Sequence, residues 1–202
     1  MKVSVLGFPY SLYVAEIPGI TDAVRRQRED IAVAKLVTEA FGQGAVRHND
    51  SIGTPYILMN GRVINVEVSV SHSRSHAVLA VAPQGIALGV DIEDNRQQLQ
   101  RVAPRILSAS ELRVYSSLPL GLLKAWTMKE ALYKATRRSF GKELDFTANI
   151  QLPLKPGGVA KVCGDYYEKL FQIAFTSLDC NTNQSHPGDS PLIALAWECQ
   201  CI

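Results

Sequence analysis

Two stretches of the chain repeat apolar residues at helical spacing. The first begins after Pro18-Gly19, with Thr21 or Asp22 as the expected N-cap, and ends at Gly42. Its predicted core face consists of Val33, Leu36, Val37, Ala40 and Phe41. Its first turns carry three cations, Arg25, Arg26 and Arg28. Cations at this end oppose the helix dipole, so they form either a solvated face or part of an anion site.

The second helical stretch follows Leu118–Gly121 and is predicted to end near Arg138–Gly141. One stripe of this helix carries Leu122, Trp126, Glu130, Tyr133 and Arg137. The apolar and aromatic members predict an inward face, which would carry Glu130 inward with them. A buried carboxylate is costly unless a cation, a metal ion or hydrogen-bond donors compensate it. Lys134, one turn further along, is the candidate partner; an exposed Glu–Lys pair is the alternative.

Short alternating runs between turn residues predict strands and an α+β fold with antiparallel sheets. Asn60-Gly61 indicates a hairpin, and Ser108–Glu111 is a capping-box pattern for a short helix. The stretches Asp94–Arg101 and Asp179–Ser190 are polar. The predicted strands are Val3–Phe8, Tyr10–Ala15, the hairpin arms within Tyr56–Ile64, Val66–His72, His76–Ala82, Ile86–Glu93, Asn149–Leu152, Val159–Cys163, Tyr167–Thr176 and Pro191–Trp197. Those from Val66 to Glu93 are expected to form a meander.

The strand Ile86–Glu93 has one apolar face and one acidic face. Gly89, Asp91 and Glu93 alternate with Leu88, Val90 and Ile92. Two carboxylates roughly 7 Å apart along a strand can converge on one cation, or they can face solvent. Gly89 leaves room for a close approach to the backbone.

His72 lies on the apolar side of its strand, between Ser71 and Ser73. A histidine in this position is more often a core residue than a ligand. The two serines nevertheless make the place rich in hydrogen-bond donors, which suits phosphate oxygens.

Composition excludes several classes of function. A hydrophobic content of 47% and a charged content of 20% are those of a globular protein. The net charge of +2 does not favour nucleic acid as a partner. No apolar run approaches the roughly 20 residues that a membrane span needs, and the first residues do not resemble a secretory signal. The four cysteines lack zinc-finger spacing, so a reducing, cytoplasmic setting is expected.

Asp91, Glu93 and Glu130 together would make a site for a hard cation such as Mg²⁺ bridging a phosphate or pyrophosphate. One alternative is a Mg²⁺-dependent hydrolase of a small nucleotide or pyrophosphate. Another, which only the family resemblance described next implies, is a non-catalytic relative that binds coenzyme A or a carrier protein. A third places the acidic groups on a solvated surface.

Three motifs resemble those of the 4′-phosphopantetheinyl transferase superfamily, in its order and with compatible spacing. They are Ser71-His72-Ser73, Gly89-Val-Asp-Ile-Glu93 and Trp126-x-x-Lys129-Glu130-Ala-x-x-Lys134. The length resembles the surfactin-type, single-chain branch. That resemblance implies two similar α/β halves, each with an antiparallel sheet and a long helix, in a pseudo-twofold arrangement. The halves would be residues 1–84, with the coenzyme A nucleotide contacts, and 85–202, with the metal and catalytic residues, in one compact unit.

The resemblance also implies a reaction and roles for individual residues. 4′-Phosphopantetheine would pass from coenzyme A to a serine of an apo acyl or peptidyl carrier protein, releasing adenosine 3′,5′-bisphosphate. Asp91, Glu93 and Glu130 would hold Mg²⁺, with Mn²⁺ as a substitute. Glu130 would also be the candidate base, and Lys134 would neutralise or protonate the leaving phosphate. The implied coenzyme contacts are Arg47, Gly53, Thr54, Pro55, Ser71 and His72. A monomer that binds neither nucleic acid nor membrane is expected.

One position departs from the family pattern. The family's loop usually contains Gly-Lys-Pro, whereas this chain has Gly53-Thr54-Pro55. A lysine that would pair with the 3′-phosphate of coenzyme A is therefore absent. Arg47, Arg26 and Lys35 are the candidates to compensate for it, and otherwise a modest loss of affinity is expected.

Overall fold

The computed structural model describes residues 1–19, 24–94, 98–140, 149–153, 155, 157–164, 168–178 and 190–199, with the side chains of 137–140 left out. In this part of the chain the helices are α1 (Arg25–Phe41), α2 (Leu99–Ile106), α3 (Ala109–Ser116) and α4 (Gly121–Phe140). The strands are β1 (Lys2–Val3), β2 (Ser11–Glu16), β3 (Ala45–Asn49), β4 (Pro55–Met59), β5 (Arg62–Val63), β6 (Val66–His72), β7 (His76–Pro83), β8 (Leu88–Glu93), β9 (Ile150–Gln151), β10 (Gly158–Cys163), β11 (Glu168–Ser177) and β12 (Leu192–Glu198).

The strands before residue 84 form two sheets, one of which packs against α1. That sheet has the order β1-β2-β7-β6, and β3-β4-β5 form a small second sheet. The predicted core face of α1 is confirmed, because Val33, Leu36 and Val37 are buried against Leu79 of β7. Gly42 ends the helix with its N–H bonded to the Thr38 carbonyl, as expected. The expected caps Thr21 and Asp22 lie outside the described residues.

The strands after residue 85 form a five-stranded sheet that packs against α4. Its order is β8-β12-β11-β10-β9, and each adjacent pair is antiparallel. Met128 and Leu132 of α4 are buried against Ala194 and Ala196 of β12. The predicted extent of α4, from after Leu118–Gly121 to near Arg138–Gly141, agrees with its observed bounds.

A shared core lies between the α1-side sheet and the α4-side sheet. Leu12 and Val78 from the first meet Val90, Ile92 and Ile193 from the second. The predicted apolar face of β8 is therefore confirmed. The layers run helix, sheet, sheet, helix. The edge strands β6 and β8 of the two sheets lie next to each other, and the Val90 N–H donates to Ser69 Oγ at 3.0 Å.

Two predictions about elements are wrong, and one helix was not predicted. Val3–Phe8 is not one strand, because the Phe8 N–H donates to the Val5 carbonyl at 3.0 Å and closes a turn. β8 does not continue a meander from β7; it pairs with β12, since alternation fixes the faces of a strand but not its partner. α2 begins inside the polar stretch Asp94–Arg101, and neither that polarity nor its internal Pro104 signals a helix.

The other predicted strands and the capping box are confirmed to within a few residues. Asn60 and Gly61 have φ of 51° and 80°, the left-handed pair that a tight hairpin needs. The α+β class with antiparallel sheets is correct. The pseudo-twofold relation and the boundary at residues 84 and 85 stay predictions, and the polar stretch Asp179–Ser190 falls almost wholly outside the residues described.

None of the helices in the described ranges is both long enough and apolar enough to cross a membrane.

Candidate active site

A buried carboxylate on β8 is the centre of the candidate site. Asp91 is 4% exposed and faces α4. Its Oδ1 accepts hydrogen bonds from Lys134 Nζ at 2.7 Å and from Ser71 Oγ at 2.8 Å. Lys134 Nζ also donates to Ser71 Oγ at 2.9 Å and to the Val90 carbonyl at 3.2 Å. Three elements that are distant in sequence, β6, β8 and α4, therefore meet at this carboxylate.

Gly89 allows β8 to lie directly on α4. A Cβ at this position would collide with the Ala131 carbonyl and would lie 2.7 Å from the Ala135 backbone nitrogen. The space that the sequence predicted beside Gly89 is thus filled by the helix backbone. This close approach brings the acidic face of β8 within reach of the side chains of α4.

Glu93 and Glu130 lie along the same contact between β8 and α4. Glu93 Oε1 accepts a hydrogen bond from Trp126 Nε1 at 3.0 Å. Trp126, Glu130 and Lys134 are spaced four residues apart and share one side of the helix. Since Trp126 contacts Glu93 and Lys134 contacts Asp91, Glu130 lies between the two contacts. It is half-buried, as are Leu122, Trp126 and Tyr133 on the predicted stripe, whereas the side chain of Arg137 is not described.

The donor atoms suit a divalent cation, although they are not gathered around one point. Among the residues described, no three His, Cys, Asp or Glu side chains are close enough to hold a metal ion. Asp91 Oδ2, however, is buried and has no hydrogen-bond partner in this part of the chain. Mg²⁺ characteristically takes one or two carboxylates and completes its shell with water and substrate phosphates. A buried carboxylate oxygen without a partner, with Glu93 and Glu130 further along the same contact between β8 and α4, is compatible with that requirement.

Two cavities adjoin Lys134 and share Arg47 as a second cationic lining residue. One, of about 280 Å³, is also lined by Gly53, Thr54 and Pro55. The other, of about 780 Å³, is also lined by Ser71, His72, Arg25 and Arg26. The structure therefore brings every residue of the predicted coenzyme set to one of two cavities beside Lys134.

His72 is not the core histidine that its strand position favours. Its side chain is 42% exposed, and Nδ1 lies 3.5 Å from Glu29 Oε1 of α1. Arg25 Nε lies 2.6 Å from the same carboxylate oxygen. The first turns of α1 thus place Arg25, Arg26 and the Glu29 carboxylate at the larger cavity. The arginines can therefore still be interpreted as part of an anion site.

A buried ion pair behind the site was not predicted. Lys129 is fully buried, donates to the Ile150 carbonyl at 2.6 Å and lies 3.2 Å from Glu111 Oε2. Glu111 also accepts from the Ser108 N–H of its capping box and from the Leu152 N–H, both at 2.7 Å. Only the capping box was visible in the sequence. Lys129 lines neither of the two cavities.

Tyr115 lies in the same buried region behind α4. Burial, and then the nearby Glu111 carboxylate, raise the pKa of Tyr115 above its usual range. Its hydroxyl donates to the Pro153 carbonyl. The phenol is therefore held neutral, and Tyr115 lines neither of the two cavities.

Comparison with known families assigns this region. A search of curated proteins finds no match to the chain. Residues 87–196 match the model of the 4′-phosphopantetheinyl transferase superfamily. The match covers more than half of the 202 residues and includes Asp91, Glu93, Glu130 and Lys134. It supports a transferase of the phosphopantetheinyl type. The chain belongs to the 4′-phosphopantetheinyl transferase superfamily.

Proposed function

We propose that the protein transfers 4′-phosphopantetheine from coenzyme A to a serine of an apo acyl or peptidyl carrier protein, with Mg²⁺ and with release of adenosine 3′,5′-bisphosphate. The observation that carries this proposal is the Asp91–Lys134 pair. In this pair, Asp91 Oδ2 has no hydrogen-bond partner among the described residues and is available to a cation, and Lys134 borders two cavities. The family match supports the transfer of phosphopantetheine in general.

The proposed reaction is a displacement at phosphorus. The carrier serine oxygen forms a bond to the pantetheine-side phosphorus of the pyrophosphate, and the bond from that phosphorus to the bridging oxygen breaks. The electron pair leaves with adenosine 3′,5′-bisphosphate, and the serine proton passes to a base. Such reactions depend mainly on positioning and on neutralising charge.

Asp91, Glu93 and Glu130 are the residues that would hold Mg²⁺ or, in its place, Mn²⁺. When bound, the cation would neutralise the charge of the pyrophosphate oxygens. Asp91 would use Oδ2, since Oδ1 already accepts two hydrogen bonds. The glutamates would approach from the strand and the helix respectively.

Glu130 is the proposed base, directly or through a water molecule. It projects from the side of α4 that faces β8, within one helical turn of Lys134. Lys134 would exchange one of its present acceptors for an oxygen of the leaving phosphate. The Val90 carbonyl, at 3.2 Å, is the most distant of the three and the first expected to be given up.

The coenzyme is proposed to lie along the two cavities, in contact with Arg47, His72 and the Gly53–Pro55 loop. Arg47 borders both cavities, and a guanidinium suits bidentate contact with phosphate. This placement makes Arg47 the strongest candidate to replace the lysine that is absent at position 54. We further propose the single-chain branch of the family, a monomeric state and a cytoplasmic setting.

One reaction separates transfer from hydrolysis. The full-length protein is incubated with coenzyme A and Mg²⁺, with and without an apo carrier protein, and adenosine 3′,5′-bisphosphate is quantified. The proposal expects nucleotide release only when a carrier is present. Release at the same rate without a carrier would establish a hydrolase. Coenzyme A binding without release, across carriers of several types, would favour a non-catalytic member.

A further inference from the structure

We propose that Ser71 is a positioning residue that fixes the Asp91 carboxylate for a divalent cation, and that its hydroxyl is not a ligand of the coenzyme's phosphates. This inference rests on the proposed function, because it concerns the same metal and the same coenzyme. It reassigns a residue for which the family resemblance implies a phosphate contact. The reason is the direction of each hydrogen bond around the hydroxyl.

The hydroxyl of Ser71 has its one proton committed to Asp91. A serine hydroxyl has one proton to donate and two lone pairs to accept with. Lys134 Nζ can only donate, so its 2.9 Å contact with Ser71 Oγ uses an acceptor position of the serine. The proton therefore goes to Asp91 Oδ1 at 2.8 Å. A phosphate oxygen can only accept a hydrogen bond from this hydroxyl. It would therefore have to compete with the buried Asp91 carboxylate for the same proton.

The same two bonds decide which oxygen of Asp91 is available to a cation. A carboxylate oxygen offers about two lone-pair positions. Ser71 and Lys134 occupy both positions on Oδ1, whereas Oδ2 is buried and has no partner among the described residues. Since the two donors come from β6 and α4, they hold the carboxylate from two sides. Ser71 thereby fixes the rotation of the carboxylate and leaves Oδ2 for the metal.

The neighbouring residues separate the two roles along β6. Side chains of successive strand residues point to opposite faces. Ser71 reaches Asp91 of β8, whereas His72 reaches Glu29 of α1. The coenzyme contact of this motif is therefore assigned to His72. Ser71, at 8% exposure, also borders the larger cavity, but its hydroxyl proton is directed to Asp91.

The test is direct Mn²⁺ binding to the full-length protein, followed by electron paramagnetic resonance with and without saturating coenzyme A. Removal of a residue that orients a metal ligand typically costs 10- to 100-fold in metal affinity. We expect Ser71→Ala to weaken Mn²⁺ binding by about that factor and to leave coenzyme A binding in the presence of EDTA unchanged. Ser71→Cys keeps roughly the size of the side chain but donates only a weak hydrogen bond. Its Mn²⁺ affinity should therefore lie between those of the wild type and Ser71→Ala.

Ser69→Ala is the matched control. Ser69 is two residues away on the same face of β6, is also buried, and accepts a hydrogen bond from the Val90 N–H of β8. This variant should bind Mn²⁺ as the wild type does. The proposal is overturned if Ser71→Ala and Ser71→Cys both bind Mn²⁺ normally, or if their main loss is of coenzyme A affinity in EDTA.

The outcomes distinguish this inference from the proposed function. A wild type that binds no Mn²⁺ in either condition contradicts both. A wild type that binds Mn²⁺ but modifies no carrier contradicts the proposed function, while the Ser71 comparison still supports or refutes the positioning role.

Discussion

Lys134 shows how much the site depends on a single residue. Its ammonium has three protons, and the structure uses them on Ser71, Asp91 and the Val90 carbonyl. A phosphate can be bound by this lysine only in exchange for one of these acceptors. Binding of a phosphate at Lys134 would therefore change the hydrogen bonds that hold Ser71, Asp91 or the Val90 carbonyl.

Thr54 provides a prediction at the residue scale. It is 7% exposed, its hydroxyl has no partner among the described residues, and it lines the smaller cavity beside Arg47. Thr54→Lys should therefore leave coenzyme A affinity unchanged or raise it, because the new cation can reach an anionic ligand in that cavity. Calorimetric titration with coenzyme A measures this. Thr54→Met, which adds bulk without charge, is the control, and a large loss with Lys alone would place the loop away from any phosphate.

The sequence could identify the acidic residues of the site but not their surroundings. Alternation on β8 puts Asp91 and Glu93 on one face, and helical spacing puts Glu130 beside Lys134. The bond from Ser71 to Asp91 joins residues 20 positions apart on strands of different sheets. No local pattern specifies such a contact. The buried ion pair of Lys129 could not be predicted either, because its partner Glu111 lies in another helix, where the sequence indicates only a capping box.

At the scale of elements, the close approach of β8 to α4 is the feature that forms the site. Gly89→Ala would force the strand away from the Ala131 carbonyl, since a backbone atom cannot move aside as a side chain can. We expect a loss of about 1–3 kcal/mol of unfolding free energy or more, together with weaker metal binding. Urea unfolding measures the first quantity. Gly19→Ala, where an added Cβ meets nothing, is the control; equal stability of the two variants would contradict the packing described.

The Lys129–Glu111 pair links α4 to α3 and to β9. Removing one partner of a buried pair leaves an uncompensated charge and typically costs about 3–5 kcal/mol. We expect that loss of unfolding free energy for Lys129→Met, with partial recovery when Glu111→Gln is added. Lys161→Met breaks the exposed pair between Lys161 and Glu168 and should change the unfolding free energy far less, because exposed pairs are screened by solvent. If the two lysine variants are equally stable, Lys129 does not hold these elements together.

Elements were predictable where the signal is local. Gly42 and Asn60-Gly61 mark boundaries through their own backbone preferences, and the structure places them as expected. The pairing of β8 with β12 was not predictable, because about one hundred residues separate the two strands and alternation does not name a partner.

At the scale of the whole molecule, the two sides of the fold meet at the site. β6 belongs to the α1-side sheet, whereas β8 belongs to the α4-side sheet. Both cavities are lined by Arg47 from the first side and Lys134 from the second. Any change in how the sheets pack should therefore alter ligand binding and stability together.

Alkaline pH gives a prediction for the stability of the whole fold. Burial and the Glu111 carboxylate raise the pKa of Tyr115 in the folded protein. Its contribution to stability is thus fully present below the unfolded pKa of about 10 and is lost as pH rises beyond it. Tyr115→Phe should cost about 0.5–1.5 kcal/mol at neutral pH and then lose stability less steeply. Urea unfolding across alkaline pH tests this, and parallel curves for the two proteins would refute it.

The most direct test of the account is the mass of an apo carrier protein after incubation with the full-length protein, coenzyme A and Mg²⁺. The carrier should gain the mass of one phosphopantetheine on its serine, and the gain should disappear with EDTA or with Asp91→Asn. Asp94→Asn, the same change just beyond β8, should still modify the carrier. No gain across fatty-acid, polyketide and peptide carriers, or full modification by Asp91→Asn, would contradict the central claim.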